Sequence, residues 1–376
     1  MTDKLTALLS RWTVLVPPLA VLLLALVWGR SLPAAVAAVA GLALVGGVLA
    51  AVHHAEVVAH RVGEPLGSLV LAVAVTVIEV ALIVTLMADN GTKNATLARD
   101  TVFAAVMITC NGIVGLCLLV GALRTRVAVF NPEGTGAALA TVATLATLSL
   151  ALPTFTTSTP GPRFSPTQLT FASLAAVVLY ALFVATQTVR HRDYFLPPDL
   201  GGGPLESEPR GEGGGADGDH AERPSARAAG AGLALLLVAL IAVVGLAKTV
   251  SPNIETALTS AGLPSSVMGV VIALLVLLPE TIAAVRAARR DKVQIGLNLA
   301  LGSAMASIGM TVPAVALASV WLSGPLVLGL GATHLVLLAL TVAIGTLTVI
   351  PGRATPLQGG VHLSVLAAYV VLAVSP

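Results

Sequence analysis

Long apolar stretches separated by short polar segments make up most of this 376-residue chain. A stretch of about 20 apolar residues is long enough to cross a bilayer as an α-helix. Eleven such stretches can be read along the sequence, at residues 13–29, 33–52, 66–87, 101–123, 134–152, 167–188, 230–250, 264–285, 293–319, 324–349 and 357–374. The pattern therefore predicts an all-α integral membrane protein with eleven transmembrane helices.

The first apolar stretch also resembles a secretory signal peptide, because Lys4 and Arg11 precede it. It carries two tryptophans and two prolines, however, and lacks a clean small-residue cleavage site. We therefore expect residues 1–30 to form a retained, extra N-terminal transmembrane helix.

Residues 189–229 interrupt the apolar pattern with a segment rich in Gly, Pro and acidic residues. Such a composition favours a disordered linker, most simply a solvated spacer on the cytoplasmic side. The linker divides the rest of the chain into residues 31–188 and 230–376. Each of these units holds five apolar stretches, so two five-helix repeats are predicted.

Composition supports the membrane assignment. Hydrophobic residues make up 56% of the chain and charged residues 10%, with a mean hydropathy of +0.96, whereas soluble domains average about 25% charged residues. The lipid bilayer is thus the expected surrounding partner, and the net charge of +2 gives no indication of nucleic-acid binding. Cys110 and Cys117 are two helical turns apart, too far for a disulfide, and are interpreted as packing residues.

The Lys and Arg distribution predicts the orientation, since cytoplasmic loops of membrane proteins carry an excess of positive charge. With the N-terminus inside, the cytoplasmic segments hold 15 of the 20 Lys and Arg residues and the outer segments hold 5. Omitting the three in the middle of the linker leaves 12 against 5. We therefore predict a cytoplasmic N-terminus and an external C-terminus.

Two glutamates, Glu79 and Glu280, are each the only acidic residue within a long apolar stretch. A charged side chain at the bilayer centre costs about 2.5–3.5 kcal/mol on insertion scales, so such residues usually face a bundle interior or an aqueous cavity. A structural hydrogen bond between helices is the simpler alternative. The recurrence of one acid in each half of the chain favours a paired ion or proton site.

The sequence around the two glutamates indicates an internal repeat. In each half, an apolar helix with an acid precedes a charged loop and then a helix rich in small and polar residues. Because each unit holds an odd number of helices, the second unit must enter the membrane in the opposite sense. Inverted repeats of this kind are typical of secondary transporters, with the substrate site near the midplane.

The neighbouring polar residues suggest ligands for a hard cation, which prefers carboxylate, hydroxyl and carbonyl oxygens. Pro279 precedes Glu280 and is expected to kink or break that helix. In addition to the two glutamates, the candidate cation-binding residues are Thr76, Asn111, Asn298, Ser303 and Ser307. For the last four, polar contacts between helices are the alternative interpretation. Buried carboxylates disfavour their charged form, so one site can exchange protons for a cation.

Three segments carry a resemblance to a known family. Residues 63–87 (GEPLGSLVLAVAVTVIEVALIVTLM), 270–290 (VVIALLVLLPETIAAVRAARR) and 297–313 (LNLALGSAMASIGMTVP) are similar to the ChaA-type bacterial branch of the calcium/cation–proton antiporter family. The resemblance covers nearly the whole chain. It implies that Glu79 and Glu280 are the essential acids, and that Ca²⁺, or Na⁺ or K⁺, is exported in exchange for H⁺ by alternating access. It also implies that no cofactor is needed and that the protein resides in the bacterial cytoplasmic (inner) membrane.

The chain departs from the family pattern at several neutral ligand positions. A Gly-Asn pair often found before each acid is replaced by Val75-Thr76 and by Val276-Leu277, and a Ser-Ala-Thr-Gln motif reads Ser-Ala-Met-Ala from Ser303. Ca²⁺ takes 6–8 oxygen ligands. Either waters and backbone carbonyls complete the site, or the transported ion is monovalent.

Other functions are less well supported. A proton-independent channel or uniporter with the same acidic site is the main alternative. An intramembrane enzyme is disfavoured, since there is no HExxH motif and no convincing Ser/His or Asp pair at membrane depth. His53, Glu56 and His60 recur at one-face helical spacing, which fits a hydrated helix end better than a metal or pH-sensing site. The oligomeric state is left open.

Overall fold

Eleven long helices account for most of the part of the chain that the structure, a computed structural model, describes. The described residues are 12–63, 66–90, 95–198, 225–264, 266–322 and 324–375. The helices are α1 Trp12–Val27, α2 Ala34–Val62, α3 Leu66–Asn90, α4 Leu97–Thr125, α5 Pro132–Thr154, α6 Pro166–Arg190, α7 Ala226–Ser260, α8 Ser266–Arg289, α9 Val293–Ala318, α10 Ala332–Val349 and α11 Pro356–Val374. Of these described helices, α2–α11 are long and apolar enough to cross a membrane, and α1 is a shorter apolar helix. The predicted eleven-helix membrane fold is confirmed.

Several helix ends differ from the prediction. Helices α2 and α7 contain 29 and 35 residues and extend past their predicted ends at residues 52 and 250. The span predicted to start at residue 324 starts at Ala332 instead, and the preceding residues are extended. Pro325, Gly329 and Gly331 explain this difference, because proline and glycine both disfavour the interior of a helix.

A short β-pair adds to the helical fold. β1 (Ala128–Val129) follows α4 and pairs antiparallel with β2 (Arg353–Ala354), which precedes α11. The Phe130 backbone N–H also donates to the Gly352 carbonyl at 3.0 Å. This pair joins the loop after α4 to the loop between α10 and α11.

The buried apolar residues form two clusters. One is built mainly from α4, α5, α8, α9, α10 and α11, and the other mainly from α1, α2, α3 and α7. Helix α8 contributes to both, since Leu277 belongs to the first cluster and Val276 to the second. The two glutamate-bearing helices, α3 and α8, therefore meet where the clusters adjoin.

The extra helix α1 packs against α2 and α7. Gly245 of α7 lies so close to α1 that a Cβ there would be 2.4 Å from the Leu24 side chain. His54 Nε2 lies 2.8 Å from the Thr13 carbonyl oxygen, and Asn253 Nδ2 donates to the Leu32 carbonyl at 3.0 Å. Contacts near both ends of α1 thus hold it in the second cluster.

Short π-helical segments interrupt four of the described helices: Ile108–Ile113 in α4, Thr147–Ala151 in α5, Thr186–Arg190 in α6 and Ser307–Thr311 in α9. Those of α4 and α9 lie in corresponding helices. Each helix is the third of five, counting α2–α6 and α7–α11, and each follows a glutamate-bearing helix. π-Helical turns within α-helices are frequent at functional sites. Of the expected kink or break at Pro279, the break does not occur, because α8 is continuous from Ser266 to Arg289 with Pro279 inside it.

Most of the linker predicted at residues 189–229 lies outside the described residues. Its start is described and forms a 3₁₀ turn, Arg192–Phe195. Helix α7 begins at Ala226, three residues before the predicted end of the linker, and the Ser225 hydroxyl caps it by accepting from the Ala228 N–H at 3.2 Å.

Candidate functional site

A cavity of about 390 Å³ lies between α3, α6, α8 and α9, with one contribution from α4. Its walls carry both glutamates and are otherwise largely apolar. The polar residues lining it are Thr76, Glu79, Tyr180, Gln187, Glu280, Asn298, Ser303 and Ser307. The two acids that the sequence places far apart in the chain therefore face one space.

Glu79 is held by hydroxyl groups from the second half of the chain. Its side chain is 4% exposed, the Ser307 hydroxyl donates to its Oε1 at 2.7 Å, and the Thr311 hydroxyl donates to its Oε2 at 3.1 Å. Both donors come from the π-helical segment of α9. Hydrogen bonds to a buried carboxylate offset part of the cost of removing it from water.

Glu280 has a different environment. It is 8% exposed, and its Oε2 atom has no hydrogen-bond partner within the described part of the chain. Both carboxylates belong to the lining of one cavity. A buried carboxylate oxygen without a donor is available to a proton or to a cation.

The predicted neutral ligands are distributed unevenly. Thr76, Ser303 and Ser307 line the cavity, as does Asn298. The Asn298 amide, however, already donates to the Phe195 carbonyl and accepts from Gln294. Asn111 is not among the described residues that line the cavity.

Asn111 instead belongs to a second buried region. Its side chain is fully buried, and its Nδ2 donates to Thr341 Oγ1 on α10 at 2.9 Å. Thr341, His362 and Cys110 line a smaller, apolar cavity there. Cys110 and Cys117 are both buried and free, in agreement with their predicted packing role.

Thr311 is the polar contact that the sequence analysis missed. It follows Ser307 by four residues, so the helical spacing that places two side chains on one face could have identified it. Tyr180 and Gln187 on α6 are further lining residues that were not predicted. Neither residue stands near one of the two glutamates in the sequence.

The lining residues show which face the cavity approaches. They lie in the first half of α3 and of α9 and in the last half of α6. Consecutive helices cross in alternate directions, so these helix ends share one face with the linker. We call this the linker face.

The opposite face, here called the closed face, is bridged by the extended residues 327–330. The Val327 N–H donates to the Ala95 carbonyl at 3.1 Å, and the Leu330 N–H donates to the Leu150 carbonyl at 2.9 Å. Arg99 Nη1 donates to the Gly329 carbonyl at 3.2 Å. The same arginine pairs with Asp100, whose side chain is 6% exposed, at 2.7 Å. These contacts join the second half of the chain to α4 and α5.

The His53, Glu56 and His60 group lies on α2. His53 Nδ1 and Glu56 Oε2 are 4.0 Å apart, and both side chains are nearly half exposed. Across the described ranges, no group of three or more His, Cys, Asp or Glu residues is placed to hold a metal ion. This exposure is consistent with a hydrated helix end.

Two relatives match most of the chain. An ionic transporter of Sinorhizobium fredii, y4hA, is 47% identical over 333 residues, covering 89% of this chain and 87% of the relative. The sodium-potassium/proton antiporter ChaA of Escherichia coli is 34% identical over 364 residues, covering 96% and 95%. Both are named as transporters.

Solved structures share the fold. Native YfkE matches with a TM-score of 0.69 at 15% identity, covering 96% of this chain and 98% of that protein. The H⁺/Ca²⁺ exchanger CAX matches with a TM-score of 0.64 at 14% identity, covering 99% and 92%. At these identities the likeness establishes the architecture alone.

The family profile matches both halves of the chain. The sodium/calcium exchanger protein family aligns with residues 32–189 and 231–375, which contain α2–α6 and nearly all of α7–α11. The matched segments carry Glu79 and Glu280 on corresponding helices. The resemblance found in the sequence is confirmed, and the chain belongs to the sodium/calcium exchanger protein family.

Proposed function

We propose that this protein is a secondary active antiporter that exchanges a cation for protons by alternating access. The observation that carries the proposal is the convergence of Glu79 and Glu280 on one membrane-embedded cavity. The ChaA relative, named as a sodium-potassium/proton antiporter and similar over almost its full length, supports it.

The chemistry follows from the two carboxyl groups. Each can hold a proton when the cation is absent, because low-dielectric surroundings disfavour the charged carboxylate. A cation entering the cavity stabilises both charged forms and displaces the protons. Two charged carboxylates without a cation are unfavourable, and so is binding of protons and a cation at the same time. The site therefore holds either protons or a cation, and this competition couples the two flows in opposite directions.

The ligand set favours a monovalent cation. Within the cavity, hydroxyl oxygens come from Thr76, Ser303 and Ser307, and Ser307 already donates to Glu79. With each glutamate monodentate, the two carboxylates and three hydroxyls supply at most five oxygens, fewer than the 6–8 that Ca²⁺ takes. We propose Na⁺ and K⁺ as the preferred substrates, with Ca²⁺ as the other candidate cation.

Residues 31–188 and 230–376 are proposed to be two inverted five-helix repeats, with residues 1–30 as an additional helix. The glutamates on the second helix of each set and the π-helical segments on the third support this arrangement. The Lys and Arg distribution supports a cytoplasmic N-terminus. The linker face is then cytoplasmic, in a bacterial inner membrane.

The test is transport in everted membrane vesicles with an imposed, inside-acid pH gradient. Addition of Na⁺, K⁺ or Ca²⁺ in separate experiments should dissipate the gradient, with the monovalent ions active at lower concentration. Vesicles carrying Glu280→Gln should lose the response. Retention of full activity by both Glu79→Gln and Glu280→Gln would refute the assigned site, whereas cation flux without proton movement would identify a uniporter or channel.

A further inference from the structure

Asn298 uses both ends of its side-chain amide for contacts within the protein. Its Oδ1 accepts a hydrogen bond from Gln294 Nε2 at 2.7 Å, and its Nδ2 donates to the Phe195 carbonyl at 2.6 Å. Gln294 is fully buried, and its Oε1 accepts from the Asn131 backbone N–H at 2.7 Å. Asn298 therefore belongs to a satisfied hydrogen-bond network that reaches α5 and the start of the linker.

The position of Asn298 along α9 separates it from Glu79. It precedes Ser307, the donor to Glu79, by nine residues. At 1.5 Å per residue this places the two side chains about 14 Å apart along the helix axis. Ligands of one Ca²⁺ ion lie within about 2.6 Å of it, so Asn298 cannot share a directly bound ion with Glu79.

The partner of Asn298 is a docked segment, residues 191–196, which we call the mouth anchor. Phe195 is 5% exposed and packs edge-to-face on Phe183, with ring centroids 5.6 Å apart. The Tyr194 carbonyl lies against Gly134, where an added Cβ would be 2.2 Å from the carbonyl oxygen. The mouth anchor is thus fitted tightly onto the starts of α5 and α9 and the end of α6.

The mouth anchor contacts two opposite parts of the cavity wall. Phe183 of α6 and Asn298 of α9 both line the cavity, and both contact Phe195. Displacing Phe195 would release the two helices from each other at the linker face. Glu79, whose donor Ser307 lies more than two helical turns away along α9, would keep its own contacts.

We propose that Asn298 is a positioning residue: through the Phe195 carbonyl it holds the mouth anchor, which sets the geometry of the cavity mouth and hence cation entry from the linker face. This inference rests on the proposed antiport function. It replaces the expectation that Asn298 ligates the cation together with Glu79. The amide side chain is required because the Phe195 carbonyl needs a donor and the Gln294 amide needs an acceptor.

The experiment measures the half-saturating cation concentration, the maximum rate and the Na⁺:K⁺:Ca²⁺ preference in everted vesicles. Asn298→Ala and Asn298→Asp should each raise the half-saturating concentration about three- to tenfold, the change expected for one net hydrogen bond. Phe195→Leu keeps the backbone carbonyl but removes the aromatic pair with Phe183, and should raise it by a similar factor. The maximum rate and ion preference should remain unchanged. Aspartate should behave like alanine, since a carboxylate cannot donate to the Phe195 carbonyl. The double variant Asn298→Ala/Phe195→Leu should not exceed the larger single effect.

The matched control is Asn253→Ala. Asn253 also donates from Nδ2 to a distant backbone carbonyl, that of Leu32 at 3.0 Å, but it is remote from the cavity lining. It should leave the half-saturating concentration unchanged. Thermal unfolding of each purified variant in detergent identifies any variant that misfolds. If Asn298→Ala misfolds, Phe195→Leu is compared with the wild type instead.

Two outcomes would overturn the inference. In the first, Asn298→Asp keeps or tightens cation binding, or shifts ion preference, while Phe195→Leu matches the wild type. That result would identify Asn298 as a cation ligand. Wild-type kinetics in all three variants would show that the mouth anchor does not influence entry. A wild-type protein without any cation–proton exchange would instead refute the proposed function.

Discussion

The Ser307 hydroxyl of α9 donates to Oε1 of Glu79 on α3 at 2.7 Å, linking the two halves of the chain inside the cavity. Thr311 adds a second donor on the other carboxylate oxygen. Glu280 differs, because its Oε2 lacks a donor in the described part of the structure. The two acids are therefore related by their place in the sequence but not by their surroundings.

Replacing Ser307 with Ala should weaken cation binding. The change removes a hydrogen bond to a buried carboxylate, an interaction that contributes about 1.5–3 kcal/mol, so the half-saturating cation concentration should rise at least tenfold in vesicle assays. Thr311→Ala should have a smaller effect because its hydrogen bond is longer, 3.1 Å against 2.7 Å.

Ser364→Ala is the control for the serine change. The Ser364 hydroxyl is exposed and donates only to the Gly360 carbonyl of its own helix at 2.9 Å, so transport should be unaffected. Equal activity in Ser307→Ala and Ser364→Ala would show that the bond to Glu79 does not contribute to ion exchange.

A cysteine at position 187 should react with a membrane-impermeant maleimide from the linker face. Gln187 lines the cavity near the end of α6, whereas Thr157 is exposed beyond the other end of the bundle. The chain has two cysteines, both buried, so background labelling should be low. Gln187→Cys should label in everted vesicles and Thr157→Cys in right-side-out vesicles; the reverse pattern would contradict the predicted orientation.

The helices and the two acids could be predicted because their signals are local. A run of apolar residues is enough to indicate a span, and a single carboxylate within it is expensive unless it faces a cavity. Thr76 could be placed in the site because it stands three residues before Glu79, and Ser303 because it lies in the helix that follows Glu280. The error at the start of the tenth span, residues 324–331, came from giving apolar content more weight than proline and glycine.

The contacts of the Asn111 and Asn298 side chains could not be predicted in the same way. The neighbour that a helical side chain contacts depends on the rotation of the helix about its axis. A π-helical turn holds one extra residue, which rotates the side chains that follow it by about 100°. Asn111 lies inside such a segment and faces Thr341 rather than the cavity. Asn298 faces the cavity, but its partners come from 4 and 103 residues away.

Asp100→Asn should destabilise the closed face. Asp100 Oδ1 accepts from Arg99 Nε at 2.8 Å, and Oδ2 accepts from the Thr96 hydroxyl at 2.8 Å. Removing the charge weakens these bonds and leaves Arg99, which is 17% exposed, without its counter-ion. The expected loss is about 1.5–3 kcal/mol, measured as unfolding in detergent.

Asp291→Asn is the matched change at an exposed ion pair. Asp291 and Arg124 are 3.4 Å apart and about half exposed, and such pairs contribute about 0–1 kcal/mol. Asparagine also tolerates the positive φ of 61° at this position. Similar stabilities for the two variants would indicate that the Arg99–Asp100 pair does not hold the closed face.

Neighbouring glycines on α11 should respond in opposite ways to replacement by alanine. Gly359 packs against α4, where an added Cβ would lie 2.6 Å from the Leu119 backbone nitrogen and 2.9 Å from the Gly115 carbonyl oxygen. Small residues permit such close helix contacts in membranes, and backbone atoms cannot move aside as a flexible side chain would. Gly359→Ala should therefore lower the free energy of unfolding by about 1–3 kcal/mol, the usual cost of overpacking.

Gly360 has no atom within 4 Å of the same added Cβ. Gly360→Ala should therefore raise the free energy of unfolding by up to about 1 kcal/mol, because alanine reduces backbone freedom in the unfolded chain. Thermal unfolding of the two purified variants in detergent measures the difference. Equal unfolding temperatures would mean that α4 and α11 can separate without cost, and that the short β1–β2 pair, rather than helix packing, fixes their distance.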